Sequence, residues 1–371
     1  MIFCSKCFHD MEIKSMIEKN GAIGTCPICN SDNVEIYDTD QENSDQESTL
    51  FSIFDNFLSV YTANDDLPDS YPIKERKTLV DAVKNDWDIF AEISDESIVS
   101  ILKSLAPEHL KDYPIIFEQP VGIPEKYNKD YLVENSILHT EKWDDFVESL
   151  KHKNRFHTNL VDTELLKKYC MNISKVIPVD KRRFYRGRIA KNKNGFSRSE
   201  MGAPPEEIST DGRANSAGIS RLYLTNDRET TLHEIRAAEY DYVTIGTFKP
   251  VRPIRVVDLK LIHKISPFCD DVDCTALAIN REHLIKINEE MSRTMRRGDS
   301  PLDYLPTQYI CDFIMSITDD NGKPLFDGIE YQSAMHSKGS NLTIFNPELF
   351  KCTCCSTYEV KKLQYVKKVI R

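Results

Sequence analysis

The pair of cysteine knuckles at the start of the chain restricts its fold more than any other feature. Two C-x-x-C motifs, separated by eighteen residues, supply Cys4, Cys7, Cys26 and Cys29. Each tight knuckle presents two thiolates, and four thiolates complete the tetrahedral shell of a structural zinc ion. Because so short a segment cannot bury a core of its own, bound zinc would stabilise its fold. We therefore predict a zinc ribbon over residues 1–37, with a structural Zn site rather than a catalytic one.

The chain after the ribbon divides into three further segments. Residues 38–49 are acidic and lack apolar anchors, which is typical of a linker. Residues 50–170 carry apolar side chains at helical spacing, beginning with Phe51 and Phe54, and predict a helical N-terminal domain. Residues 171–371 alternate short β-type runs with helical stretches, which predicts a mixed α/β domain. The expected fold class is therefore α+β.

Two patterns in the helical segment make specific predictions. Leu79, Val83, Trp87 and Phe90 recur at helical spacing and predict a helix along them. Ser94 stands before the next apolar repeat and is expected to cap it. No group of reactive side chains stands out in this segment. We expect a scaffold or interaction domain, and one hypothesis is that it represses an active site elsewhere in the chain.

Composition and charge restrict the function. The chain of 371 residues has a formal net charge of −11, which disfavours a general nucleic-acid binder. No apolar run approaches the roughly 20 residues of a membrane span, and the first residues lack the features of a secretory signal. We therefore expect a cytoplasmic protein without a membrane partner. Residues 181–236 carry 12 Lys and Arg against 7 Asp and Glu, a basic island that is either a solvated surface or a pocket for an anionic small molecule.

Short patches within the mixed domain carry the reactive side chains. In chain order they hold Tyr185, Arg186, Arg213, Asn215, Tyr223, Glu234, Ser333 and Asn341. Arg213, Tyr223 and Glu234 are spaced by ten and eleven positions, a loop–strand–helix layout that can bring all three to one cleft. No G-x-G-x-x-G stands between a strand and a helix, so a Rossmann-type redox use of a dinucleotide is not expected.

The order of these patches resembles the RES-domain family over about residues 181–347. The dipeptide Tyr185-Arg186 is similar to the tyrosine–arginine pair that opens the family pattern. The run 212–215 is similar to its glycine–arginine loop, although Ala214 stands where an aromatic residue is usual. The run from Tyr223 to Glu234 is similar to the family's Tyr followed by Ala-x-x-Glu, although Thr231 replaces the alanine.

Two further features extend the resemblance. Ser333 is similar to the serine of the family pattern. The run 303–309, which contains Thr307 and Gln308, resembles longer RES proteins. Such proteins carry a helical, HEPN/RES N-terminal-like region before the RES domain, which agrees with the helical segment of this chain.

The resemblance implies a fold akin to ADP-ribosyltransferases and an activity that consumes NAD. Family members include growth-arresting toxins, often in toxin–antitoxin pairs, and some split NAD by phosphorolysis. Others transfer ADP-ribose to a protein, and longer members are expected to act in phage defence. NAD as substrate, phosphate as a second substrate, and an antitoxin or regulatory protein as partner are therefore what the resemblance implies.

The residue chemistry is compatible with cleavage of the nicotinamide–ribose bond, which passes through a cationic, oxocarbenium-like ribose. A fixed carboxylate stabilises that charge, and Glu234 is the candidate, with Glu229 and Glu239 as competitors. Arg186 and Arg213 are expected to grip the diphosphate of NAD.

The remaining candidates supply aromatic and polar contacts to the same ligand. Tyr223 is expected to stack on the nicotinamide ring. Ser333 is expected to hydrogen-bond the substrate. Asn215, Gln308 and Asn341 are expected to give further polar contacts to NAD.

Three functions stay open at this point. The first is an NAD-degrading toxin or defence effector that uses phosphorolysis or hydrolysis. The second is an ADP-ribosyltransferase that modifies a protein or a nucleic acid. The third is a binding module in which the zinc ribbon contacts nucleic acid or a partner and the mixed domain senses a nucleotide. The role of Cys352, Cys354 and Cys355 is also open among a second metal clip, a redox handle and incidental thiols, and the last is favoured.

Overall fold

The protein falls into two compact units. The computed structural model describes residues 1–41, 50–140, 142–269, 272–294 and 298–363, so the predicted linker is described only to residue 41 and its remainder lies outside the described residues. The first unit comprises Met1–Ser136 and His263–Glu282, and the second comprises Ile137–Ile262 and His283–Arg371. The division into four segments that the sequence suggested stays a prediction.

Helices and strands both contribute substantially, which confirms a mixed α/β protein with one large sheet. The elements are, in chain order, β1 (Ile2–Cys4), α1 (Met11–Asn20), β2 (Ala22–Gly24), β3 (Val34–Asp38), α2 (Leu50–Leu58), β4 (Thr62–Ala63), α3 (Leu79–Asp81), α4 (Asp95–Leu105), α5 (Pro107–Asp112), β5 (Val121–Gly122), α6 (Lys129–Asn135), α7 (Trp143–His152), α8 (Thr163–Asn172), β6 (Ser174–Ile177), β7 (Phe184–Ala190), β8 (Leu222–Thr225), α9 (Arg228–Glu234), β9 (Tyr242–Pro250), β10 (Ile254–Asp258), α10 (Cys274–Ser292), α11 (Leu305–Ser316), β11 (Gly328–Gln332), β12 (Ser340–Ile344) and β13 (Phe350–Glu359). Among the helices of the described ranges, none has both the length and the apolar character that crossing a bilayer requires.

A small antiparallel sheet and one helix begin the first unit. The strand order is β1-β3-β2. The ring of Phe3 stacks on Tyr37 and meets Phe8 edge-on, with centroids 5.6 Å apart in both pairs. The Asp10 carboxylate caps α1 by accepting two backbone N–H groups of the first turn at 3.0 and 3.1 Å. These contacts hold the predicted zinc-ribbon segment around a compact aromatic centre.

Aromatic packing builds the rest of the first unit. The Phe57 ring lies 5.4 Å from Trp87 and 5.2 Å from Phe268, measured between centroids. Phe268 belongs to the segment His263–Glu282, which joins this unit from a distant part of the chain. The predicted cap of α4 is present, because Ser94 Oγ accepts a backbone N–H three residues later at 3.2 Å.

The helix predicted along residues 79–90 is wrong beyond Asp86, and only its first three residues are α-helical. After α3 the chain continues as a π-helical turn, Ala82–Asp86. At Asp88 the backbone then adopts a φ of 54°, which ends any helix. Phe90 forms an isolated β-bridge with Phe8 instead. The apolar residues at helical spacing are buried in this region, as the pattern indicates, but they do not form a regular helix.

An eight-stranded sheet dominates the second unit, in the order β13-β9-β7-β8-β12-β11-β10-β6. β7 pairs with β9 along its whole length, whereas it pairs with β8 only through Tyr185 and Thr225. Because β7 and β8 separate away from this single pair, the sheet opens between them. That gap positions the candidate functional site.

The cysteine-rich segment near the end of the chain forms the edge strand β13, which the sequence analysis did not assign. A bulge lies between Cys352 and Cys354. Cys352 and Cys355 pack against the core cluster that contains Phe184 and Phe350. Within the described residues these thiols belong to no group of three or more metal-binding side chains, so the structure gives the metal-clip hypothesis no support.

A buried carboxylate on β11 is surrounded by cations. Glu330 has 0% of its surface exposed. Its carboxylate accepts two hydrogen bonds from Arg182 at 3.1 Å, lies 2.7 Å from Lys175 Nζ and pairs with Lys260. Ser340 Oγ donates to it at 2.9 Å. Although burial raises the pKa of Glu330, these cations outweigh that effect and hold the pKa far below its ordinary value of 4.5.

We expect Glu330→Gln to lower the free energy of unfolding by about 3–5 kcal/mol at neutral pH, because three partly buried cations lose the carboxylate that they share, although Asp258 still pairs with the two lysines. The folded-state pKa is depressed, so the stabilisation exists above the unfolded pKa and is lost as the pH falls below it. The difference between the two proteins in urea unfolding should therefore shrink toward acid pH. Glu359→Gln, which removes an exposed pair with Lys361, should cost less than about 1 kcal/mol. Equal losses in both variants would contradict this account.

Candidate functional site

A cavity of about 370 Å³ opens in the second unit where β7 and β8 separate. Five of the eight residues predicted for NAD line it, namely Arg186, Arg213, Tyr223, Glu234 and Asn341. The other three, Asn215, Gln308 and Ser333, do not line it and are bonded within the walls. The fold thus gathers residues from widely separated patches into one neighbourhood.

Glu234, at the end of α9, is held by two side chains. Ser333 Oγ donates to Glu234 Oε1 at 2.6 Å, and Asn341 Nδ2 donates to the same oxygen at 2.8 Å. Ser333 Oγ also accepts the N–H groups of Met335 and His336 at 3.2 and 3.1 Å. Since a hydroxyl has one proton and two lone pairs, the Ser333 proton is committed to Glu234. Glu234 Oε2 receives no hydrogen bond from the part of the chain that is described, so it is open to a ligand.

The turn between β11 and β12 approaches α9 closely because of Gly339. A Cβ on Gly339 would lie only 1.9 Å from Thr230 Oγ1. Thr230 Oγ1 is in turn 2.7 Å from His336 Nδ1, within the same turn. Because of this close approach, Ser333 and Asn341 lie at the end of α9, where they donate hydrogen bonds to the Glu234 carboxylate.

The two competing carboxylates lie away from the cavity. Glu229 and Glu239 are exposed, and neither is part of the lining. Glu239 Oε1 accepts the backbone N–H of Leu363 at 2.9 Å. Glu234 is the one carboxylate among the described residues of the cavity wall, so the geometry favours it over both competitors.

Asn215 and Gln308 hold the loop that carries Arg213. Tyr223 Oη donates to Asn215 Oδ1 at 2.6 Å and accepts a loop N–H at 3.2 Å. Gln308 Nε2 donates to the carbonyl oxygens of Gly212 and Asn215 at 3.0 and 2.9 Å. Both amide side chains are almost fully buried. Their contacts give them a positioning role for Arg213.

Two residues that depart from the expected family pattern are both buried at 1% exposure. Ala214 lies in the Arg213 loop, where an aromatic residue is usual. Thr231 lies on α9, where its Oγ1 is 2.5 Å from Thr225 Oγ1 and donates to the Asp227 carbonyl at 2.9 Å. The hydroxyl of Thr231 therefore has hydrogen-bond partners within the fold, and threonine in place of alanine leaves no buried polar group unpaired here.

Arg186 and Arg213 bring positive charge to the cavity wall. Arg186 Nη1 donates to the carbonyls of Met201, at 2.9 Å, and Gly202, while Arg213 Nη2 donates to the Arg293 carbonyl. Burial lowers the pKa of Arg186 to about 10, which leaves the guanidinium charged at neutral pH. Neither arginine forms an ion pair with a carboxylate of the described residues. Two partly buried guanidinium groups without a counter-ion favour an anionic ligand.

Several lining residues were assigned no part in ligand binding by the sequence analysis. They are Tyr185, Arg236, Tyr304, Tyr331 and Met335. Side chains alternate between the two faces of a strand. Tyr331 stands two positions before Ser333, so the strand pattern places both on one face and Glu330 on the other, and this could have pointed to Tyr331. Burial raises the pKa of Tyr331 to about 12 and that of Tyr223 well above 10, so both phenols stay protonated. Tyr304 lies in the run 303–309, which resembles longer RES proteins, but the sequence analysis gave it no role.

Four cysteines form a separate site in the first unit. The Sγ atoms of Cys4, Cys7, Cys26 and Cys29 lie within 4.8 Å of one another. Cys4 is 3.9 Å from Cys7 and 3.4 Å from Cys29, and Cys7 is 3.7 Å from Cys26. A tetrahedral ion with Zn–S bonds of about 2.3 Å requires sulfur atoms about 3.8 Å apart. Burial and the neighbouring thiols raise the pKa of Cys4 to about 12, so this thiol is protonated at neutral pH unless a cation binds. The predicted cluster is confirmed as one that could hold a metal ion.

Comparison with known proteins finds a family match over part of the chain. Residues 187–362 match the family model described as RES domain. No curated protein and no solved structure matches the chain. All the lining residues from Gly187 onward fall within the matched range, and Tyr185 and Arg186 immediately precede it.

Proposed function

We propose that the chain, whose residues 187–362 match the RES-domain family model, is an enzyme that binds NAD and breaks the nicotinamide–ribose bond. The observation that supports this most strongly is the Glu234 carboxylate, which is held on one oxygen by two donors and shares a cavity with two guanidinium groups. The family match supports an NAD-related role, and the bond that breaks is our inference from the site.

The carboxylate is suited to the charge that this reaction develops. When the bond between ribose C1 and the nicotinamide nitrogen breaks, the electron pair leaves with nicotinamide and the ribose becomes cationic. Glu234 Oε2 would face that cation, and Ser333 and Asn341 would hold the carboxylate in place on its other oxygen. A charge that is already oriented needs no rearrangement as the transition state forms.

The remaining lining residues suit the rest of the dinucleotide. Arg186 uses one terminal nitrogen on two backbone carbonyls and Arg213 uses one on a single carbonyl, so both keep further N–H groups for the diphosphate. The hydroxyl of Tyr223 is fixed by Asn215, so its ring is a rigid surface for the nicotinamide. Ser333 acts on Glu234 rather than on the substrate.

We further propose that the four-cysteine site binds Zn²⁺ and that this ion is structural. Four thiolates fill a tetrahedral shell and leave no position for a substrate. The ion would therefore stabilise the start of the chain, and no step of the reaction would need it.

The biological role that follows is a toxin or defence effector that depletes NAD. Uncontrolled cleavage of NAD would arrest growth, so we infer that an antitoxin or another regulatory protein restrains the enzyme. Production of the protein in a bacterial host should lower the cellular NAD content before growth stops.

The purified protein, incubated with NAD in the presence and absence of phosphate, is expected to release nicotinamide. Mass spectrometry of the second product identifies the nucleophile. ADP-ribose 1″-phosphate that forms only with phosphate indicates phosphorolysis, and free ADP-ribose indicates hydrolysis. A protein or nucleic acid that gains ADP-ribose would instead favour the transferase. Absence of both nicotinamide release and NAD binding by calorimetry would overturn the proposal.

A further inference from the structure

Arg236 follows the candidate carboxylate by two residues, lines the cavity and has an uncommon backbone conformation. Its φ is 51°. The Arg236 N–H donates to the His233 carbonyl at 3.0 Å, and the Ala237 N–H donates to the Leu232 carbonyl at 3.2 Å. This pair of bonds is the Schellman ending of a helix, in which the residue at the place of Arg236 is usually glycine. A large charged residue therefore occupies a position that favours glycine.

The unfavourable conformation alone does not indicate a function. Tyr240 has a φ of 70°, is 71% exposed and does not line the cavity. What distinguishes Arg236 is that its conformation accompanies a place on the cavity wall beside Glu234. Glycine at position 236 would adopt this backbone conformation without a steric penalty, but it would remove a guanidinium from the site. The combination suggests that the side chain is kept for a ligand.

We propose that Arg236 binds a phosphate group of the substrate, specifically the phosphate attached to the ribose that Glu234 contacts. This inference rests on the proposed function. Two residues span at most about 7 Å of chain, so Arg236 and Glu234 reach neighbouring parts of one nucleotide. A guanidinium matches phosphate with two parallel hydrogen bonds. Arg186 and Arg213 then serve the remainder of the diphosphate, and the nicotinamide half is gripped at both its ribose and its phosphate.

The test compares three ligands that differ by one group at a time. NAD and nicotinamide mononucleotide both carry the phosphate in question, whereas nicotinamide riboside lacks it. Binding is measured by calorimetry in a Glu234→Gln background, so that turnover does not interfere. Arg236→Gly and Arg236→Gln should each weaken the binding of NAD and of the mononucleotide by about 10- to 100-fold. The affinity for the riboside should not change.

The matched control is Tyr240→Gly, which relieves the same kind of backbone conformation outside the cavity. It should leave all three affinities unchanged, and both glycine variants should melt at or above the temperature of the parent protein. If Arg236→Gly binds NAD as tightly as the parent protein does, the role proposed for Arg236 is wrong. The same holds if its affinity for the riboside falls as much as its affinity for NAD. Neither result would contradict the binding of NAD by the protein. If the unmodified protein binds none of the three ligands, the proposed function fails and this inference fails with it.

Discussion

Glu234→Gln is expected to lower the rate of nicotinamide release from NAD by about 10³-fold, with the fold retained. Glutamine preserves the shape of the side chain and can still accept from Ser333 and Asn341, which now hold the carboxylate. What is lost is the negative charge beside the cationic ribose, and that charge acts mainly in the transition state. The measurement is kcat and KM from initial rates, and kcat should fall much more than KM changes.

Two further variants separate this electrostatic role from a general disturbance of α9. Glu229→Gln changes an exposed carboxylate in the first turn of the same helix and should leave kcat unchanged. Ser333 does not itself line the cavity, and Ser333→Ala removes one of two donors to Glu234 and an acceptor for the Met335 N–H. The carboxylate charge stays, so the loss of rate should be smaller than that of Glu234→Gln. If Glu234→Gln released nicotinamide at the rate of the unmodified protein, or if Glu229→Gln lost that rate, Glu234 would not be the carboxylate that stabilises the cationic ribose.

The parts of the fold that could be predicted from sequence are those in which local chemistry decides the structure. The cysteine knuckles require their four sulfur atoms to meet, whatever surrounds them. Ser94 caps α4 through a bond that spans only three residues. The strands β8 to β12 lie in runs of alternating or β-branched residues.

The parts that could not be predicted depend on contacts between distant segments. The segment His263–Glu282 joins the first unit although it lies between two strands of the second, and its Phe268 packs on Phe54 and Phe57. No local pattern reports such a contact. A truncation before the mixed domain would therefore remove the surface that Phe268 packs against. The hypothesis that the helical segment represses the active site is better tested with point variants.

The same distinction applies to the candidate site. The sequence pattern indicates which polar residues gather, but the direction of their hydrogen bonds emerges only from the folded arrangement. Ser333 was expected to contact the substrate, and its bonds to two N–H groups commit its proton to Glu234 instead. Asn215 and Gln308 were expected to contact NAD, and they hold the Arg213 loop from behind. Buried polar groups satisfy one another first, so a cavity wall of this kind contains both contacting and positioning residues.

Removal of the metal is expected to unfold the start of the chain. The purified protein should contain one zinc ion per chain, and Cys4→Ser or Cys26→Ser should abolish it, because each supplies one of four sulfur atoms at tetrahedral spacing. Structural zinc sites contribute an apparent free energy of about 10 kcal/mol or more to folding. The aromatic centre of so short a segment is too small to replace that contribution, so a strong chelator should make residues 1–41 sensitive to protease and to hydrogen exchange.

The control for the metal experiment is Cys354→Ser, which removes an exposed thiol outside the cluster and should leave the zinc content at one per chain. Substitution of cobalt for zinc gives an independent reading, since four thiolates around a tetrahedral Co²⁺ produce charge-transfer absorption that three thiolates give less strongly. Loss of zinc should leave NAD binding measurable if the ion is structural, because the cavity is built from the second unit alone. A protein that contains no zinc yet protects residues 1–41, or a Cys4→Ser variant that keeps its metal, would rule out the site.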